Sequence, residues 1–246
     1  MHYRVAGKGD PVIFLHGFLE NSSIWNGIAP EFERLGFKII LVDLPCHGES
    51  RFDDEICSMA FMAECVDALC VAEGIENPIV FGHSMGGYVG LELLKIRSIQ
   101  LTLVHSNFWD DPFDKKQDRD RVAKIVEQNK MRLIHEAIPN LFAAKNREHC
   151  QSNILDLIQA AEQIPANEII ASTKGMRDRL HNGQLLEQFE INIIHGNLDT
   201  VVKTEKLNVE LARLTRTPKT QTIPDAGHMS IWEKPAVLIE CLKAIV

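Results

Sequence analysis

Residues 82–86, Gly82-His83-Ser84-Met85-Gly86, fit the pattern G-x-S-x-G and follow directly on the apolar run Ile79-Val80-Phe81. A serine hydroxyl is a weak nucleophile at neutral pH and needs a neighbouring base. On a tight strand-to-helix turn it is held clear of both elements, and glycines two before and two after remove side chains that would collide. The helix that follows aims its free N–H groups and positive dipole end at the place where an oxyanion would form. A glycine-rich turn with a structural serine is the bland alternative, but the buried strand before it and the helix after it favour a nucleophile. Among 10 histidines, position selects His228 as the base: Ala226-Gly227-His228 sits in a loop after the last expected strand. Asp199, in Gly196-Asn197-Leu198-Asp199, leaves the preceding strand and is the candidate acid that fixes the imidazole tautomer. Asp225, three residues before His228, reads better as a turn-capping side chain.

These residues need a scaffold. Short apolar runs at Pro11–Leu15, Phe37–Val42, Ile79–Phe81, Leu101–His105, Ile191–His195 and Thr220–Ile223 read as strands, with Tyr3–Val5 as one more. Helical patterns fall between them: from Asn21–Ser23 to about Leu35 with Trp25 on the inner face, and from Met59 to Ala72 with Phe61, Cys65, Ala68, Leu69 and Ala72 as the apolar stripe. An amphipathic helix is expected over Tyr88–Lys95, and a closing helix runs from Ser230 or Pro235 to Val246. Such alternation predicts an α/β chain with a doubly wound, mostly parallel sheet covered on both faces. From Phe108 to about Glu187 the alternation stops, and helices are expected at Lys115–Asn129, Met131–Leu141, Asn146–Gln163 and Ala166–Leu180. Stripes at Val122, Ile125, Val126 and at Ile154, Leu157, Ile158, Ala161 mark their inner faces.

At 246 residues the chain can bury one sizeable core, and a net charge of -8 disfavours nucleic acid or an anionic membrane as partner. The basic clusters Lys115-Lys116 and Arg119–Arg121 alternate with acids and read as a solvated helix face. Six cysteines without C-x-x-C spacing argue against a zinc site or a disulfide framework, so no metal is expected. No apolar run is long enough to span a bilayer, and a cytoplasmic setting follows by default.

Four motifs in order, His16-Gly17-Phe18, Asp43 to Ser50, Gly82 to Gly87, and Gly196–Asp199 with Ala226–His228, make the chain resemble the α/β-hydrolase fold family over Tyr3–Val246. The resemblance implies a core formed by residues 1–107 and 188–246, a helical cap or lid at 108–187, and a missing or vestigial first edge strand. It also implies an oxyanion hole from the backbone N–H groups of Phe18 and Met85, with His16 and His83 holding their loops. The family's turn usually reads D-x-P-G-H-G-x-S, so Cys46 is a departure, taken as a small filler rather than a reactive thiol. Asp43 is expected to secure that turn. Phe18, Phe108, Trp109, Leu141 and Met176 are the candidate pocket residues, whereas Trp25 and Trp232 suit core packing.

The expected function is a serine hydrolase of a small carboxylic ester or thioester, working through an acyl-enzyme with the set Ser84, His228, Asp199 and no cofactor. Rival readings are a C–C hydrolase or a lyase similar to the menaquinone-pathway enzyme, peroxide-dependent halogenation, and a non-catalytic small-molecule binder. The partner is a small ester-type molecule, and the chain is a monomer or a homodimer.

Overall fold

A computed structural model describes residues 1–246. Seven strands, β1 (Tyr3–Ala6), β2 (Pro11–Leu15), β3 (Lys38–Val42), β4 (Ile79–His83), β5 (Gln100–Val104), β6 (Ile191–Gly196) and β7 (Thr220–Ile223), form one sheet in the order β1-β3-β2-β4-β5-β6-β7. All pairings are parallel except β1 with β3. The antiparallel β1 is the edge strand on that side, in keeping with a sheet lacking the family's first strand.

The period of two along buried strands divides the core. Val12 and Phe14 of β2 join a layer with Trp25, Phe32, Leu238 and Leu242, while Ile13 and Leu15 join the opposite layer with Met62, Val66, Val89 and Leu93. The helices on the two faces are α1 (Ala29–Arg34), α2 (Met59–Ala72), α3 (Met85–Leu94), α8 (Thr204–Leu211), α9 (Ser230–Glu233) and α10 (Pro235–Lys243). Between β5 and β6 lie α4 (Phe113–Ala137), α5 (Gln151–Glu162), α6 (Ala166–Arg177) and α7 (Gly183–Gln188), and a third apolar cluster of Val126, Ile134, Ile154, Leu157, Ile158 and Ala161 holds α4 and α5 together.

Several local expectations need correction. The expected single helix from Asn21 is a 3-10 turn, Ser22–Gly27, capped by Asn21 accepting from the Ser23 N–H at 2.9 Å, followed by the short α1. Helix α2 begins and ends as expected, but it buries Met59, Met62, Ala63, Val66, Leu69 and Cys70, and Phe61 is exposed. Helix α3 is not amphipathic: sheet and α2 enclose it, and all its residues but Glu92 are buried. The expected break near residue 130 is a kink within α4, where Asn129 leaves helical geometry (φ -159°, ψ 86°), and Ile138–Leu141 and Ala144–Asn146 form two 3-10 turns rather than continuing a helix.

Candidate active site

Strand register gathers the site. Leu15 pairs with Gly82, His83 with Val104, Val104 with Ile194, and Gly196 with Ile223. The turns that follow these five strand ends carry His16-Gly17-Phe18, Ser84, His105, Asp199 and His228, so residues distant in sequence emerge along one edge of the sheet.

Ser84 sits at φ 49°, ψ -114°, in the left-handed half of backbone space that costs a non-glycine residue energy. The strain is held from three sides: its N–H donates to the Val104 carbonyl at 2.9 Å, and its carbonyl accepts from the Gly87 N–H at 3.0 Å and the Ser106 hydroxyl at 2.6 Å. A Cβ on Gly86 would lie 2.6 Å from the Leu15 carbonyl oxygen, so only glycine lets α3 start this close to β2. Met85 opens α3, so its N–H has no intrahelical partner, and the Phe18 N–H likewise donates to no protein acceptor.

His228 Nδ1 donates to Asp199 Oδ2 at 2.8 Å, since an ionised carboxylate only accepts. That tautomer leaves the Nε2 lone pair free. Ser84 and His228 border the same cavity, with no hydrogen bond between them in this conformation; such contacts often tighten only once substrate is bound. Asp225 is turned away, exposed and paired with Lys145.

Sequence reading missed His105. Its Nδ1 also donates to Asp199 Oδ2, at 3.0 Å, and its Nε2 accepts from the Ser230 hydroxyl at 2.7 Å. Asp199 Oδ1 accepts the N–H groups of Val201 and Val202 at 2.8 and 2.9 Å. Burial alone would raise the Asp199 carboxyl, but the two imidazoles and their hydrogen bonds hold it well below the usual carboxylate range. Burial lowers His105 to about 4 despite Asp199, so it is neutral near pH 7. His105, Asp199 and His228 are the types that ligate metals, and their ligand atoms lie within 4.8 Å of one another. Both Nδ1 atoms lie at hydrogen-bond distance from one carboxylate oxygen, 2.8 Å for His228 and 3.0 Å for His105.

The second missed residue is Glu20. Its Oε2 accepts the Gly17 N–H at 2.5 Å and faces His83 Nδ1 at 3.0 Å, while His83 Nε2 faces the His228 carbonyl at 3.0 Å. Both ring nitrogens therefore meet acceptors, which makes His83 an imidazolium paired with the Glu20 carboxylate. Burial opposes charge on each, yet their mutual attraction raises His83 and lowers Glu20. His16 is neutral instead: its Nε2 accepts the Leu44 N–H at 3.0 Å and its Nδ1 donates to the Gly17 carbonyl at 2.7 Å.

The cavity at Ser84, about 170 Å³, is lined by three of the candidate pocket residues, Phe18, Leu141 and Met176, and also by Leu19, Tyr88, Val122, Leu133, Ala137, Ile138 and Val201. Phe108 does not reach it, being 2 % exposed in the core beneath, and Trp109 lines a neighbouring cavity. Cys46 adopts φ 72° and is buried; a hydrogen bond with Cys57, together with burial, pushes its thiol up, which fits a filler. Asp43 does secure its turn, accepting the N–H groups of Ser22 and Glu49 at 2.8 and 3.0 Å.

Residues 10–100 match the sequence profile of the alpha/beta hydrolase fold. A pimeloyl-[acyl-carrier protein] methyl ester esterase from Pseudoalteromonas atlantica is 26% identical over 240 residues, covering 92% of this chain and 90% of its own. A putative non-heme chloroperoxidase from Synechocystis is 24% identical over 94% of this chain and 89% of its own. A thermophilic esterase from Thermogutta terrifontis, solved with malate bound, superposes with a TM-score of 0.90 at 24% identity, covering 99% of this chain and 91% of that one. No helix of the chain is long and apolar enough to cross a membrane.

Proposed function

We propose that the chain is an enzyme of the α/β-hydrolase fold family and that it cleaves a small carboxylic ester or thioester through an acyl-enzyme. The observation that carries the reading is the His228–Asp199 hydrogen bond at 2.8 Å beside a cavity that also holds Ser84. Ser84 Oγ attacks the carbonyl carbon as His228 Nε2 takes its proton. The negative charge on the former carbonyl oxygen is met by the Phe18 and Met85 N–H groups and the α3 dipole. Asp199 holds the His228 ring and stabilises its cationic form. His228 then returns the proton to the departing alcohol or thiol, and a water deprotonated by His228 releases the acyl group and restores Ser84.

The fold-related esterases support this substrate class. Residues 108–187 act as the cap in this reading, because Arg119, Val122, Leu133 and Met176 close the cavity above Ser84. A cavity near 170 Å³ suits a compact acyl group, since an apolar cavity of about 150 Å³ holds benzene. The test is hydrolysis of p-nitrophenyl esters from acetate to octanoate by the wild type and Ser84→Ala. Turnover that is fastest on short acyl chains and vanishes in the variant supports the proposal; folded protein inert on every ester refutes it.

A further inference from the structure

Only four of the residues lining the cavity at Ser84 are not hydrophobic: Glu20, Ser84, Arg119 and His228. Ser84 and His228 serve the reaction, and Glu20 is neutralised by His83. Arg119 is left. Its Nε donates to Asp111 Oδ2 at 3.0 Å and its Nη1 lies 3.6 Å from Met176 Sδ, while Nη2 donates to no protein group.

Arg119 borders a second space as well. An outer cavity of about 480 Å³ shares Tyr88, Arg119, Val122 and Val201 with the inner one. Its other cationic walls are Lys115, Arg179, Lys203 and Lys206, against three acids, Asp111, Asp114 and Asp118. Asp111 is divided between two guanidinium groups, with Arg179 Nη2 on Oδ1 at 2.8 Å and Arg119 Nε on Oδ2, so one negative charge faces two positive ones. On a chain of net charge -8, this mouth is locally positive.

We propose that Arg119 makes the junction of the two cavities an anion-binding subsite, and that the substrate is an ester or thioester carrying a carboxylate at the end remote from the scissile bond. The apolar inner cavity takes the carbon chain, and the carboxylate rests on the Arg119 guanidinium. A guanidinium presents paired N–H donors that match a carboxylate and keeps its charge at every working pH. This rests on the ester-hydrolase reading above and adds the chemistry of the substrate's far end.

The probe is mono-p-nitrophenyl glutarate, compared with the same ester whose free carboxylate is capped as the primary amide. For the wild type, kcat/KM is expected to be about tenfold or more higher on the carboxylate, mainly through KM, in line with a hydrogen bond to a charged group. Arg119→Gln should lower the carboxylate-to-amide ratio by about tenfold, with Arg119→Lys retaining part of it. Equal rates on the two esters, preference for the amide, or a ratio unchanged in Arg119→Gln would overturn the subsite. Calorimetric binding of glutarate to Ser84→Ala, with and without Arg119→Gln, separates the two readings. Glutarate bound in an Arg119-dependent way by a protein that hydrolyses no ester would keep the subsite and remove the esterase, whereas ester cleavage without such binding would do the reverse.

Discussion

His105 and His228 donate to the same oxygen, Oδ2 of Asp199, at 3.0 and 2.8 Å. The acid of the proposed catalytic set is therefore shared between the working imidazole and a buried one. In that set His105 would act only through Asp199, as a positioning residue. In His105→Leu the carboxylate loses one of its donors and concentrates its charge on His228. In that variant kcat should fall more than KM changes, as steady-state kinetics would show. His105→Asn, whose amide can donate in place of Nδ1, should recover much of the lost kcat. A kcat unchanged in His105→Leu would show that the second imidazole has no bearing on the base.

Asp199→Asn presents an amide where two N–H donors need an acceptor. It should lower kcat by about 10³–10⁴-fold with the fold intact, as stopped-flow and circular dichroism would show.

The Glu20–His83 pair predicts a window of stability. His83 is raised above its ordinary 6.5, so its contribution is complete below pH 6.5 and is lost as pH climbs through the raised value. Glu20 is lowered below 4.5, so its contribution is complete above pH 4.5 and is lost as pH falls through the lowered value. The pair therefore stabilises most between these limits. Thermal melts of Glu20→Gln against the wild type should differ most in that window and converge towards alkaline pH.

Gly86→Ala would drive a methyl group to 2.6 Å from the Leu15 carbonyl oxygen and 2.7 Å from that of His16. Neither backbone carbonyl can yield without moving β2. The expected cost is about 1–3 kcal/mol, or roughly 2–12 °C in Tm. Activity should fall further than stability, because α3 carries the Met85 N–H and the Ser84 turn with it.

The strands and the Ser84 turn were legible because buried strands in a parallel sheet are written as short apolar runs and the turn demands glycine at fixed places. The inner face of α2 was not, because Phe61 and Met62 both lie on apolar stripes and only the packed neighbours decide which is buried. His105 carried no signal either: its meaning comes from Asp199, 94 residues away. Arg119 sits in a charge-rich run that reads as a solvated face, and Lys115 and Arg121 do point outwards, with side chains 64% and 68% exposed. Arg119, at 25%, turns inwards between them. Charge alternation along a helix reports the average face, and a single inward residue is invisible in it.

The His228 N–H donates to the Leu141 carbonyl at 2.8 Å, and the Glu233 carboxylate gathers the N–H groups of Gly227, Met229 and Ala143 with the Asn146 amide. Residues 141–146 are thus bolted to the loop that carries the base. Outward movement of residues 141–146 would therefore strain the loop that holds the His228 ring on Asp199. The outer cavity lies along α4 instead, on Asp114, Lys115, Asp118, Arg119 and Val122, between the exposed start of the helix at Phe113 and its kink at Asn129. The same helical segment thus braces the base at one end and borders the larger cavity at the other.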